Sequence, residues 1–128
     1  MKELTKGEEE VMNVLWEHEK AFLKDIIEVF PEPKPAYTTV STVIRVLVKK
    51  GFVGFNTYSK VHEYFPLIKK DEYFTKHLSR LANSFFGGSF SSLLSNFTTS
   101  DQLSLQDLEE IKSMINNQIN HKKEQGNA

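Results

Sequence analysis

Ala36-Tyr-Thr-Thr-Val-Ser-Thr-Val-Ile-Arg-Val-Leu-Val-Lys-Lys-Gly51 is a stretch that, wound as a helix, has two unlike faces. Val40, Val43, Ile44 and Leu47 recur at the three-and-four spacing of a buried stripe. Thr38, Thr39, Ser41, Thr42 and Arg45 lie off that stripe, near the N-terminus. Short hydroxyls, free backbone N–H groups and the positive end of a helix dipole suit phosphate oxygens and base edges. The stretch is therefore a candidate DNA-reading helix, capped by Thr38 or Thr39 and ended by a left-handed residue at Gly51.

Upstream, the spacing predicts a first helix from about Thr5 or Gly7 to His18. Thr5 and Glu8 have the spacing of a capping box, and Val11, Met12, Leu15 and Trp16 make the inward face. Trp16 has no chemical company and reads as core. A second helix spans Leu23 to Val29, with Leu23, Ile26, Ile27 and Phe30 inward, and Pro31, Pro33 and Pro35 stop it.

Downstream of Gly51 the period changes from 3.6 to 2. Phe52–Phe55 and Val61–Phe65 flank Asn56-Thr57-Tyr58-Ser59-Lys60, which predicts a β-hairpin with a polar five-residue tip, ended by Pro66. Three helices followed directly by a hairpin make a winged helix-turn-helix, with the hairpin as the wing. Beyond it, Lys69 to Phe86 reads as a long amphipathic helix that Gly87-Gly88 breaks, and Ser89 to Phe97 as a short apolar one. A last helix begins at Ser104, with Asp107 three residues on. The fold class is α+β, mostly α: a winged helix domain over 1–68, a helical dimerisation arm over 69–122 and a disordered tail over 123–128.

The arm holds more apolar residues than so small a unit buries alone. It is therefore expected to pair with a second copy through Phe74, Leu78, Leu81, Phe85, Phe90, Leu94, Leu108, Ile111 and Ile115. The competing arrangement folds these helices back onto the winged helix of the same chain.

Composition bounds the function. The chain has 128 residues, 39% of them hydrophobic, with 10 Phe, which suffices for a packed core. It has no cysteine, so a disulfide framework, a cysteine-based metal site and a cysteine nucleophile are excluded. This fits a reducing, cytoplasmic setting. The start of the chain has no apolar signal core, and no apolar run approaches the roughly 18 residues of a spanning helix, so no membrane insertion is expected. The net charge is −1. Its distribution matters more: Pro33 to His62 has no Asp or Glu but contains Lys34, Arg45, Lys49, Lys50 and Lys60. With a Debye length of about 8 Å in physiological salt, a local basic face works on a neutral whole.

The chain resembles the penicillinase repressor family (BlaI/MecI type). The resemblance is carried by Glu9–Trp16, by 36–51 as quoted, and by the wing's end at Tyr64-Phe65-Pro66-Leu67. Gly87–Phe97 followed by Leu103–Lys112 is similar to that family's dimerisation arm. The resemblance covers about residues 4–118. It implies a homodimeric repressor of transcription seated on an inverted-repeat operator in double-stranded DNA, with antibiotic resistance as a setting. It also implies relief of repression by proteolysis, triggered by a membrane metalloprotease sensor, between an Asn and a Phe that match Asn96 and Phe97. Read without the resemblance, Asn96-Phe97 is a polar helix end beside a core aromatic.

Three departures stand out. Arg45 is followed by Val46, where the family often has consecutive basic residues. The wing tip carries only Lys60 as a basic residue. The C-terminal cysteines of the family's copper-responsive branch are absent.

On this reading Thr38, Thr39, Ser41, Thr42 and Arg45 face the major groove. Hydroxyls and helix-start N–H groups fix position, while Arg45 and one or two hydroxyls read bases. Lys49, Lys50 and Lys60 hold flanking phosphates. Tyr37 either lies against sugar-phosphate or plugs the corner between the second and third helices.

Rival readings are three. The four histidines, at 18, 62, 77 and 121, have no ligand spacing, and Gly87-Gly88 lacks the strand and Lys-Ser/Thr of a phosphate loop, so no enzyme, metal or cofactor is expected. A winged helix also serves as a protein-interaction module. An aromatic arm (Phe74, Phe85, Phe86, Phe90, Phe97) is also compatible with a small-molecule-responsive regulator, although such a cluster reads first as a dimer core.

Overall fold

The computed structural model describes residues 3–126; the two residues at either end, where the expected domain 1–68 begins and the expected tail 123–128 finishes, lie outside it. The element order is α1 (Lys6–His18), β1 (Ala21–Phe22), α2 (Leu23–Val29), α3 (Tyr37–Lys50), β2 (Val53–Tyr58), β3 (Val61–Pro66), α4 (Lys70–Phe86), α5 (Phe90–Thr98) and α6 (Leu105–Glu124). The chain divides into two compact units, one through His77 and one from Leu78.

In the first unit, α1 starts where the sequence indicates. Thr5 Oγ1 accepts from the Glu8 amide at 3.2 Å and Glu8 Oε1 accepts from the Thr5 amide at 2.9 Å, closing the capping box. Val11, Met12, Val14 and Leu15 of α1 meet Ile26 of α2 and Val40, Ile44 and Leu47 of α3 in one core. Trp16 packs against it half-buried, its indole N–H donating to the Ile68 carbonyl at 2.8 Å. The root of α4 enters the same core through Tyr73. Its hydroxyl accepts from the Leu4 amide at 2.9 Å, and its ring centre lies 6.1 Å from Trp16 and 5.9 Å from Phe52.

Three sequence expectations need correction. The N-cap of α3 is Ala36, with no side-chain cap, rather than Thr38 or Thr39. The proline-stiffened connector delivers Ala36 in extended geometry, and its carbonyl closes the first turn by accepting from Thr39 and Val40 at 3.1 and 3.2 Å. The hairpin tip is Ser59-Lys60 alone, with Ser59 at φ 57, because Asn56, Thr57 and Tyr58 belong to β2. Those polar residues lie beyond the core on the solvated end of the strand, so their polarity did not mark a loop. Finally, β1 pairs antiparallel with β3 (Ala21 with Tyr64, Phe22 with Glu63), making a three-stranded sheet of order β1-β3-β2. Two residues are too few to show a period.

Other expectations hold. Gly51 ends α3 at φ 85, a left-handed conformation that costs an L-residue energy and glycine little. The outcome is a winged helix domain: three helices, a small antiparallel sheet, and a hairpin projecting from it.

In the second unit, Gly87 and Gly88 (φ 58 and 85) end α4, and the Gly88 amide donates to the Ala82 carbonyl at 2.9 Å. Ser89 caps α5 by accepting from the Ser92 amide at 3.1 Å. Ser104 and Asp107 form the capping box of α6. Neither α5 nor α6 contains a buried residue.

Candidate nucleic-acid interface

The third helix sorts its residues by the 3.6-residue turn. Val40, Ile44 and Leu47 are buried. Thr38, Thr42, Arg45 and Lys49 follow one another at steps of four, three and four, which stacks them into a single stripe on the opposite side. All four are exposed, as are Tyr37 and Thr39, while Ser41 is half-buried on the stripe's flank. The Thr42 hydroxyl donates to the Thr38 carbonyl at 2.8 Å, which ties the oxygen to the backbone and leaves it acceptor capacity only. No acidic residue occupies the first turn. Since Ala36 rather than a threonine caps the helix, the Thr38 and Thr39 hydroxyls are not spent on capping.

The five cations between Pro33 and His62 divide into two groups. Lys34 turns back on α2, its ammonium donating to the carbonyls of Glu28 and Phe30 at 2.9 and 2.8 Å. It satisfies a helix end whose carbonyls lack N–H partners. Lys50 is half-buried, with Nζ 2.8 and 2.9 Å from the two carboxylate oxygens of Glu8. Burial pushes the Glu8 carboxyl up, but the Lys50 hydrogen bonds, the Thr5 amide and the Lys50 charge outweigh it and hold it below the usual carboxylate range. Arg45, Lys49 and Lys60 remain exposed and are paired with no carboxylate among the described residues.

The wing adds an aromatic patch that the sequence reading did not single out. Phe55 pairs with Tyr64 and Thr57 with His62, so these four side chains share one face of the hairpin. The His62 ring centre lies 4.3 Å from that of Phe55 and 6.0 Å from that of Tyr64, and its Nδ1 is 3.0 Å from Thr57 Oγ1. Burial, and next the neighbouring Tyr37, push the Tyr64 hydroxyl's pKa up, while the Arg45 charge pulls it down. The start of α3 is thus within electrostatic reach of β3. Alternation at every second residue in β2 and β3 was the available signal.

The arm residues can also be placed. Phe74, Phe85, Phe90, Leu94 and Ile115 are exposed, Phe85 at 75%, and Leu78, Leu81, Leu108 and Ile111 are half-buried. Asn96 and Phe97 are exposed in the last turn of α5. Among the described residues there is no cluster of three or more His, Asp or Glu suited to a metal, and no helix long and apolar enough to cross a membrane.

Comparison with known proteins gives a consistent result. The family described as "Penicillinase repressor" matches residues 4–117. The chain is 31% identical over 115 residues to the methicillin resistance regulatory protein MecI of Staphylococcus aureus (strain N315), covering 89% of this chain and 94% of that one. It is 28% identical over 123 residues to the penicillinase repressor of Bacillus licheniformis, covering 95% of this chain and 96% of the relative. Among solved structures, the solution structure of the DNA binding domain of the repressor BlaI aligns at a TM-score of 0.49 and 27% identity, over 57% of this chain and 94% of that domain.

Proposed function

This chain belongs to the penicillinase repressor family, and we propose that it is a cytoplasmic, homodimeric DNA-binding repressor, not an enzyme, that seats two winged helices on an inverted-repeat operator. The observation that carries this reading is the stripe Thr38–Thr42–Arg45–Lys49, exposed, free of carboxylates and opposite the buried face of α3. A helix so divided presents hydroxyls and a guanidinium to the major groove while its other side holds it rigidly to the domain. Arg45, with one or two of Thr38, Thr39, Ser41 and Thr42, reads bases. Lys49 and Lys60 hold phosphates. Lys50, tied to Glu8, serves the fold in place of the phosphate contact that its position suggests.

Pairing of two copies through the arm is supported by what the arm leaves uncovered. α5 and α6 bury none of their residues, and Phe85, Phe90, Leu94, Phe97, Leu105 and Ile115 are all exposed. Exposed apolar area on this scale marks an interaction face. On this reading the division into a winged helix of 1–68 and an arm of 69–122 is functional: one part reads DNA and the other joins copies. Joining makes the second half-site contact effectively intramolecular, worth about 10²–10⁴ in avidity.

Cleavage between Asn96 and Phe97, set off by a membrane metalloprotease sensor, detaches α6 from the winged helix and so relieves repression. A fragment ending at Asn96 is expected to bind the promoter upstream of its own gene at least 100-fold more weakly than the intact chain, an avidity-sized loss, in a mobility-shift titration. Equal affinities for fragment and intact protein would overturn the dimer-dependent switch.

A further inference from the structure

α4 and α5 end by different devices. Two left-handed glycines stop α4, and the Gly88 amide turns back to donate to the Ala82 carbonyl. α5 has no glycine at its end, and its C-cap Thr99 is right-handed at φ −88, ψ −4. The last four carbonyls of any helix lack intrahelical N–H partners. In α5 these belong to Ser95, Asn96, Phe97 and Thr98, so the exposed amide between Asn96 and Phe97 lies inside the turn that needs outside help.

That help comes from three successive hydroxyls. Thr98 Oγ1 donates to the Ser95 carbonyl at 3.3 Å. Thr99 Oγ1 shares its one proton between the Ser95 carbonyl at 2.9 Å and the Asn96 carbonyl at 3.2 Å. Ser100 Oγ donates to the Phe97 carbonyl at 2.6 Å. Backbone amides contribute as well, Thr99 to Ser95 at 3.1 Å and Ser100 to Phe97 at 3.2 Å. The carbonyls on both sides of the 96–97 bond are therefore each held by a hydroxyl from the next few residues.

We propose that the hydroxyls of Thr98, Thr99 and Ser100 form a latch over the last turn of α5 that sets how readily the Asn96–Phe97 bond opens to a peptidase. The proposal rests on the reading that cleavage at this bond relieves repression. A peptidase binds its substrate extended through several residues, so a bond inside a helical turn is cut only after local unfolding. Hydrolysis then adds one water across the amide, leaving a carboxylate on Asn96 and an amine on Phe97. Because α5 spans only 9 residues, its end opens cheaply, and the latch is a large part of what resists opening. A helix stopped by side chains rather than glycine gives the chain a cleavable bond that stays closed until it is engaged.

The test uses the full-length protein with Thr99→Val and Ser100→Ala combined, which removes two of the three donors and keeps the side-chain volumes close. Ser91→Ala, on the same helix, is the control, and Thr99→Ser with Ser100 intact restores a hydroxyl. Hydrogen exchange at the amides of residues 97–100 should quicken about 3- to 10-fold in the double variant, as expected for lost hydrogen bonds that gate local opening. Cleavage at 96–97 by thermolysin, which cuts before bulky apolar residues, should rise by the same factor, while the control and Thr99→Ser behave as wild type. Exchange and cutting unchanged from the control would overturn the latch. The two readings fail separately. Faster opening in a chain that the sensor-bearing cell never cuts keeps the latch and removes the regulatory reading. Unchanged opening in a chain that the cell does cut removes the latch alone.

Discussion

Lys50 Nζ stands 2.8 Å from Glu8 Oε1 and 2.9 Å from Oε2, binding the last turn of α3 to the first turn of α1. Glu8 is only 5% exposed and also closes the capping box of its own helix, so one carboxylate fixes two element ends at once. The helix proposed to read DNA is anchored at its far end by this pair.

Lys50→Met should therefore act on stability more than on DNA. It strands a buried carboxylate, and a loss of about 1–3 kcal/mol is expected in urea unfolding. Lys50 is partly solvated, which places the cost below that of a fully buried pair. In a mobility-shift titration of the folded variant, the salt slope should match wild type. A flattened slope would return Lys50 to the phosphate contacts.

The same pair sets a pH dependence. The Glu8 carboxyl sits below its ordinary value in the folded chain, so its ionised form stabilises the fold above the unfolded carboxylate value of about 4.3. That stabilisation is lost as pH falls through the lowered folded value. Urea midpoints of wild type and Glu8→Gln should keep a constant separation above about pH 5 and converge in more acid solution. A separation that persists unchanged to pH 3 would remove the carboxylate's ionisation as its source.

Arg45 and Lys49 share the exposed stripe of α3 but are expected to behave differently. Arg45→Ala should cost about 1–3 kcal/mol of operator binding and relax preference at one base pair of each half-site. Lys49→Ala should weaken binding evenly across sequences and lower the salt slope by about 1. Identical slope changes with preference intact in both variants would make Arg45 a phosphate contact.

What the sequence disclosed was local. The capping boxes at Thr5/Glu8 and Ser104/Asp107 span three residues, the stripe of α3 repeats within two turns, and Gly51 marks a helix end by its own conformational freedom. What it concealed depended on partners far along the chain or on elements too short to carry a pattern. Lys50 looked like a free cation because Glu8 lies 42 residues away. Lys34 looked free because its acceptors are backbone carbonyls, which every residue possesses. β1 is two residues long, and Tyr73, which falls within the stretch 69–122 expected to form the arm, is a core residue of the first unit through contacts with Leu4, Trp16 and Phe52.

The diversion of Lys34 and Lys50 into the fold has a kinetic consequence. A lone copy brings Arg45, Lys49 and Lys60 from this region to a polyanion, so its counterion-driven grip on arbitrary sequence is feeble and shortened further by salt. If those three are its contacts, such a molecule would spend little time stranded on irrelevant stretches of chromosome. On the proposed dimeric reading, a copy severed from its twin would leave the promoter and would not linger nearby as a competitor for the transcription machinery.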